Sequence, residues 1–330
     1  MPFINRAVSG GPPPLPAGPP PLPPTLLRRL GYQPPPLAPL DVAELSALGS
    51  LPLRARRLAD ALGIGGHTSH RKGASIEFAD YRDYQPGDDL RRVDWRLYAR
   101  TDRLHLREAH EETPLRVVLL LDASPSMTYA SRPGLLSKLD YARMLLGAIA
   151  LIVRRQRDAC GAGLLAADLD PWLPPSRSPS RLRNVWGLLE TPPTGGPTAL
   201  AATLHRALEA APRRCLFVLA SDFYEDLSAL SPVIQRLRYE RHDLLALHVA
   251  DPVEIDFPFD DPGIFLDLEN GDDLVLDPAA TAAAYREKFA AHRRALAELC
   301  ADHGLAALPL RTDEPPLDAL RAYLARRAGK

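Results

Sequence analysis

The stretch RVVLLLDASPSM, residues 116–127, decides the fold. Residues 117–121 form an uninterrupted apolar run containing β-branched side chains, the pattern of a strand buried on both faces and not of one alternating between core and water. Such a strand belongs in a parallel sheet between two layers of helices. The run stops at Asp122 and then presents Ser124 and Ser126 at a spacing of two. In open α/β sheets ligands bind in the crevice beyond the carboxyl ends of the strands, so these three oxygen-bearing side chains are well placed to hold one.

A second strand ends in the same way. LFVLASDFYED, residues 216–226, runs apolar to Ala220 and then offers Ser221 and Asp222. Two parallel strands that both finish in an aspartate bring two carboxylates to one crevice. Thr198 follows Gly195, Gly196 and Pro197, where its hydroxyl either caps the next helix or enters the same crevice. The donors are all hard oxygens, the preference of Mg²⁺, with Mn²⁺ and Ca²⁺ as alternatives. With only two carboxylates among them, a bound cation keeps much of its charge and an exchangeable water, which suits an acidic side chain from a partner protein. These motifs supply no obvious general base, and the chain has no Gly-x-Ser-x-Gly elbow or Gly-rich phosphate loop. The expectation is a non-enzymatic binding module. The alternative is a metal-dependent hydrolase resembling a phosphoesterase.

Working outward, strands and helices alternate. The pattern predicts helix 138–155, strands near 161–167 and at Trp172, helix 180–190, helix 199–211, a strand through CLFVLASD, helix 227–240, a strand through DLLALHVAD, helix 278–302, strand 305–310 and helix 317–327. Asn270-Gly271 marks the turn of a β-hairpin near 264–277. This alternation implies an α/β fold, a doubly wound and mostly parallel sheet with helices on both faces. Upstream, Asp41 caps a helix that breaks near 49–52, and strands at 74–82 and 104–108 flank a short helix in GDDLRRVDWRLYA. Asp88 and Asp89 are expected to cap and charge that helix's N-terminus, and Trp95 and Tyr98 to pack beneath the main domain. The expected organisation is a proline-rich arm over 1–40, a smaller N-terminal α+β region over 41–113, and the sheet domain over 114–330.

Composition narrows the partners. The chain has 330 residues, 46% of them hydrophobic, and its 40 Lys and Arg against 41 Asp and Glu give a formal net charge of -1. Nothing in that balance draws nucleic acid or an anionic membrane. The 35 prolines are about twice the average usage and crowd the first forty residues. Three widely separated cysteines suggest neither a disulfide framework nor a metal knuckle, which fits a reducing, cytoplasmic setting. The longest apolar helical stretch, 142–153, is well short of the roughly 20 residues of a membrane span.

Asp122-x-Ser124-x-Ser126, Thr198 and Asp222 together resemble the metal-ion-dependent adhesion site of the von Willebrand factor A fold, in the right order and over roughly 114 to the C-terminus. The resemblance implies that Ser124 and Ser126 bind the metal directly, Thr198 directly or through water, and Asp122 and Asp222 largely through water. Pro197 stands where that family often has a second glycine, and Thr194 is the alternative threonine. The upstream stretch carries Arg71-Lys72-Gly73, Glu77-Phe78, an Asp-x-Arg-x-Tyr-x-Pro-Gly-Asp-Asp run from Asp80 to Asp89, and Asp94-Trp95. These closely resemble the signature of the bacterial family called domain of unknown function 58. That resemblance implies an adaptor working with a MoxR-type AAA+ ATPase and its client proteins in complex assembly or maturation. Many such relatives carry two N-terminal membrane helices, where this chain has its proline-rich stretch.

Overall fold

The computed structural model describes residues 42–62, 80–85, 88–90, 93–108, 115–193, 199–268, 273–317 and 320. At its centre is a six-stranded sheet built from β3 (Arg116–Asp122), β4 (Ala159–Leu165), β5 (Leu169–Ser176), β6 (Cys215–Ser221), β7 (Asp243–Ala250) and β10 (Ala306–Arg311). In space the strands run β10-β7-β6-β3-β4-β5. All neighbours are parallel except β5, which runs antiparallel to β4 at the edge. Pro171, Pro174 and Pro175 lie in that edge strand, where a missing N–H can face away from the sheet.

The apolar run 117–121 splits by parity. Val117, Leu119 and Leu121 face one core layer, and Val118 and Leu120 the other. The first layer is closed by α4 (Lys138–Arg155), α5 (Arg181–Leu189), α1 (Val42–Ala47) and α2 (Leu51–Ala61), and the second by α6 (Leu200–Ala210), α7 (Leu227–Tyr239) and α9 (Pro278–Asp302). Helix α4 lies against the sheet with α2 on its outer side, so most of its circumference is buried. Gly147 permits this close approach: a Cβ there would meet the Trp186 ring at 2.5 Å and the Ala55 methyl at 3.1 Å.

Two small sheets flank the main one. β1 (Asp80–Asp83) pairs antiparallel with β2 (His105–Glu108), with α3 (Trp95–Thr101) between them in sequence. Asp94 caps α3 by accepting from the Arg96 and Leu97 backbone N–H groups at 3.0 and 3.1 Å, the role expected of Asp88 and Asp89; Asp88 instead accepts from the Gln85 N–H. Trp95 and Tyr98 do not pack beneath the sheet domain as expected. Trp95 is 58% exposed and meets Tyr98 edge to face at 6.1 Å, on a short helix that buries none of its residues. β8 (Gly263–Leu266) and β9 (Asp273–Leu276) form the hairpin, with Asn270 and Gly271 outside the described residues. The hairpin is anchored by an aromatic cluster in which Phe257 meets Phe265 at 5.8 Å and Tyr285 of α9 at 4.5 Å. The helix expected at 317–327 lies almost wholly outside the described residues. Among the described residues, no helix is long and apolar enough to cross a membrane.

Candidate metal centre

Strand order reverses between β3 and β6: the chain fills the sheet outward through β4 and β5 on one side, then through β6, β7 and β10 on the other. The loops leaving two strands that diverge in this way open a crevice at their carboxyl ends. Leu121 sits opposite Ala220 in the β3–β6 register, so Asp122 and the Ser221-Asp222 pair leave the sheet side by side. Parallel register alone therefore brings together residues a hundred positions apart.

The chain beyond Asp122 turns back through a 3₁₀ turn, Pro125–Thr128, after the Ser124 N–H donates to Asp122 Oδ1 at 3.0 Å. That turn brings the two serines over the second strand. Ser126 Oγ donates to Asp222 Oδ2 at 2.8 Å and lies 3.1 Å from Ser124 Oγ. Ser221 Oγ donates to Asp122 Oδ2 at 2.5 Å and accepts from the Phe223 N–H at 2.9 Å. Asp122, Ser124, Ser126, Ser221 and Asp222 are all buried. Four of the five expected ligands thus converge in one network, joined by Ser221. Thr198, like Thr194, lies outside the described residues.

Three participants were missed in the sequence. Lys138, the first residue of α4, is completely buried; its Nζ donates to Asp222 Oδ2 at 2.8 Å and to Glu254 Oε1 at 2.5 Å. Glu254 belongs to α8 (Pro252–Asp256), whose capping box has its other Oε accepting from the Asp251 N–H at 2.8 Å. The Tyr224 ring lies 4.7 Å from the ammonium. Lysine is a poor residue for a helix N-terminus, where the dipole repels a cation. That mismatch, just after the N-cap Ser137, was the one local signal that Lys138 answers to something outside its helix. Asp251-Pro-Val-Glu254 carries the capping signature in sequence, yet nothing in it reports that Glu254 also reaches Lys138.

The electrostatics follow from burial. Loss of solvent, and then the charge of Asp222, push the Asp122 carboxyl up to about 6. Burial pulls the Lys138 ammonium downward, but the Asp222 and Glu254 carboxylates outweigh it and hold the pKa above the ordinary lysine value. Burial raises Glu254, with Lys138 opposing. Lys138 thus answers two carboxylates, Asp222 and Glu254, while the Asp222 charge also bears on Asp122. A divalent cation would ease the repulsion between Asp122 and Asp222, and the oxygen donors match the hard ions Mg²⁺, Mn²⁺ and Ca²⁺. Among the described residues, no three His, Cys, Asp or Glu side chains form a metal cage. The donor set is instead two carboxylates and two hydroxyls, which fits a weakly neutralised, exchangeable ion better than a structural one. The site opens into a cleft of about 880 Å³ whose walls include Tyr224, Tyr285 and Phe289, with Leu266 and Leu268 on the hairpin side.

A family model described as "Protein of unknown function DUF58" matches residues 80–298. Uncharacterized proteins of Mycobacterium tuberculosis and Mycobacterium bovis are each 30% identical over 296 residues, covering 86% of this chain and 90% of theirs. Similar solved structures include a conserved hypothetical protein BatB from Bacteroides thetaiotaomicron, with 16% identity and a TM-score of 0.42, covering 66% of this chain and 100% of that one. An aerotolerance-related membrane protein from Bacteroides fragilis has 18% identity and a TM-score of 0.41, covering 64% and 97%. The SpRpn10 VWA domain has 10% identity and a TM-score of 0.35, covering 64% and 95%.

Proposed function

The chain belongs to the DUF58 family, and from that premise we propose that it is a metal-dependent protein-binding adaptor, not an enzyme, acting in the cytoplasm with a MoxR-type AAA+ ATPase and its clients. The observation that carries the reading is the convergence of Asp122, Ser124, Ser126 and Asp222 where the strand order reverses. In this reading those residues, with Thr198, hold Mg²⁺. The cation supplies a partly neutralised positive centre for an acidic side chain of the partner. Ser221 orients Asp122, Ser126 orients Asp222, and the cleft walls exclude water from the contact. The ATPase enters through the family resemblance in the signature from Arg71 to Trp95 and not through any residue of the cleft.

The test is direct association between the purified chain and the purified MoxR-type ATPase of the same organism, in Mg²⁺ or in chelator, for the wild type and Asp122→Ala. Association is expected only with wild type and metal. Binding indifferent to both overturns metal-dependent docking. Turnover of generic phosphoesters that disappears in Asp122→Ala would establish the hydrolase alternative instead.

A further inference from the structure

Lys138 is placed where the adaptor reading needs no residue at all. A fully buried lysine is rare unless paired, and this one begins a helix whose N-terminal dipole opposes it. Two unfavourable placements are offset by two carboxylates, at 2.8 Å on Asp222 and 2.5 Å on Glu254. Asp222 Oδ2 receives both the ammonium and the Ser126 hydroxyl. An oxygen of the aspartate that the resemblance places at the metal, largely through water, is therefore already bound by a cation from within the chain.

We propose that Lys138 is a built-in competitor for the divalent ion, clamping Asp222 when metal is absent and lowering metal affinity so that the site fills reversibly. The proposal rests on the metal-binding reading of the same crevice. Like charges repel at this range, and in a buried site the repulsion is only weakly screened. Removing the ammonium should therefore tighten metal binding. Glu254 is its tether: held by the Asp251 cap, it keeps the ammonium beside Asp222 and gives it a second partner to retain once metal has claimed Asp222. A purely structural lysine, stapling α4 to β6 and α8, would stabilise the fold equally well but would leave metal affinity unchanged.

The probe is Mn²⁺, followed by loss of the free-ion paramagnetic resonance signal on titration into the full chain, with Mg²⁺ as competitor. The variants are Lys138→Met and, should that leave Glu254 too poorly paired to fold, the charge-balanced Lys138→Met with Glu254→Gln. The expected result is Mn²⁺ binding by wild type and binding tighter by about tenfold or more in Lys138→Met, the scale of losing one nearby like charge, with a smaller gain in the double variant, which also loses the attracting Glu254 carboxylate. Equal affinity in wild type and variants overturns the competitor role and leaves metal binding standing. Binding by the variants alone would mean that Lys138 excludes the ion outright, which overturns reversible filling and metal binding by the wild type. Binding by neither overturns both.

Discussion

At the scale of single residues, two buried groups near the crevice pull the pH dependence in opposite directions. Asp122 is raised to about 6, by burial first and the Asp222 charge second, against 3.8 for an ordinary aspartate. As pH falls from 7, the folded chain takes up that proton before the unfolded chain does, so Asp122 adds stability on acidification. The gain amounts to about 3 kcal/mol once pH has passed below the unfolded value. His248 is lowered to about 4 by burial and then by the Arg293 charge, against 6.5. Its ring packs edge-on against Phe223 at 5.8 Å, and among the described residues its Nε2 has no hydrogen-bond partner. The neutral ring stabilises the fold above 6.5, and that contribution, again about 3 kcal/mol, is lost as pH falls towards 4. The two nearly cancel in the wild type. Asp122→Asn removes one arm: in chelator, its stability relative to wild type is expected to drop by about 2 kcal/mol between pH 7 and pH 4. Urea unfolding at the two pH values measures this, and parallel losses in both proteins would show that Asp122 is not the group titrating.

At the scale of elements, legibility tracked how local the signal was. β3, β6 and β7 were readable because a strand buried on both faces cannot hide its apolar run, and helix 278–302 appeared as Pro278–Asp302. β5 was legible only near Trp172, since its prolines read as loop until an edge position excuses them. The four crevice residues Asp122, Ser124, Ser126 and Asp222 were legible because motif and strand end coincide. Lys138 and Glu254 were not, because their meeting is made by tertiary packing between residues 116 positions apart. Packing also decides what α1 and α2 do. Leu45, Ala55 and Leu58 are fully buried in the same core layer as α4, so these helices are part of the fold that positions Lys138. Leu58→Ala should cost about 2–5 kcal/mol by leaving a cavity, and Gly147→Val about 1–3 kcal/mol by forcing α4 off Trp186 and Ala55. Both are read from denaturant midpoints. A change under about 0.5 kcal/mol in either, the range of an ordinary surface substitution, would mean that α2 is not held against α4.

At the scale of the molecule, the candidate centre joins separate parts of the chain: β3, the turn after it, β6, α4 and α8 each contribute a side chain to one network. The sheet order creates the crevice, both core layers hold its two founding strands in register, and the aromatic cluster under the hairpin builds one wall of the cleft. A ligand at such a junction binds only the folded arrangement, because unfolding scatters Asp122 and Asp222 to positions a hundred residues apart. Its binding energy therefore appears as stability of the whole unit. At a Mg²⁺ concentration about 100 times its dissociation constant, the wild type should gain about 2.7 kcal/mol against unfolding. Asp122→Ala should gain nothing over the same titration. The comparison uses thermal or urea unfolding at fixed ionic strength, so that general screening acts equally on both proteins. Equal gains in the two would assign the effect to ions elsewhere on the surface. A gain in wild type alone would make occupancy of this crevice a property of the folded chain, independent of whether any partner has yet docked.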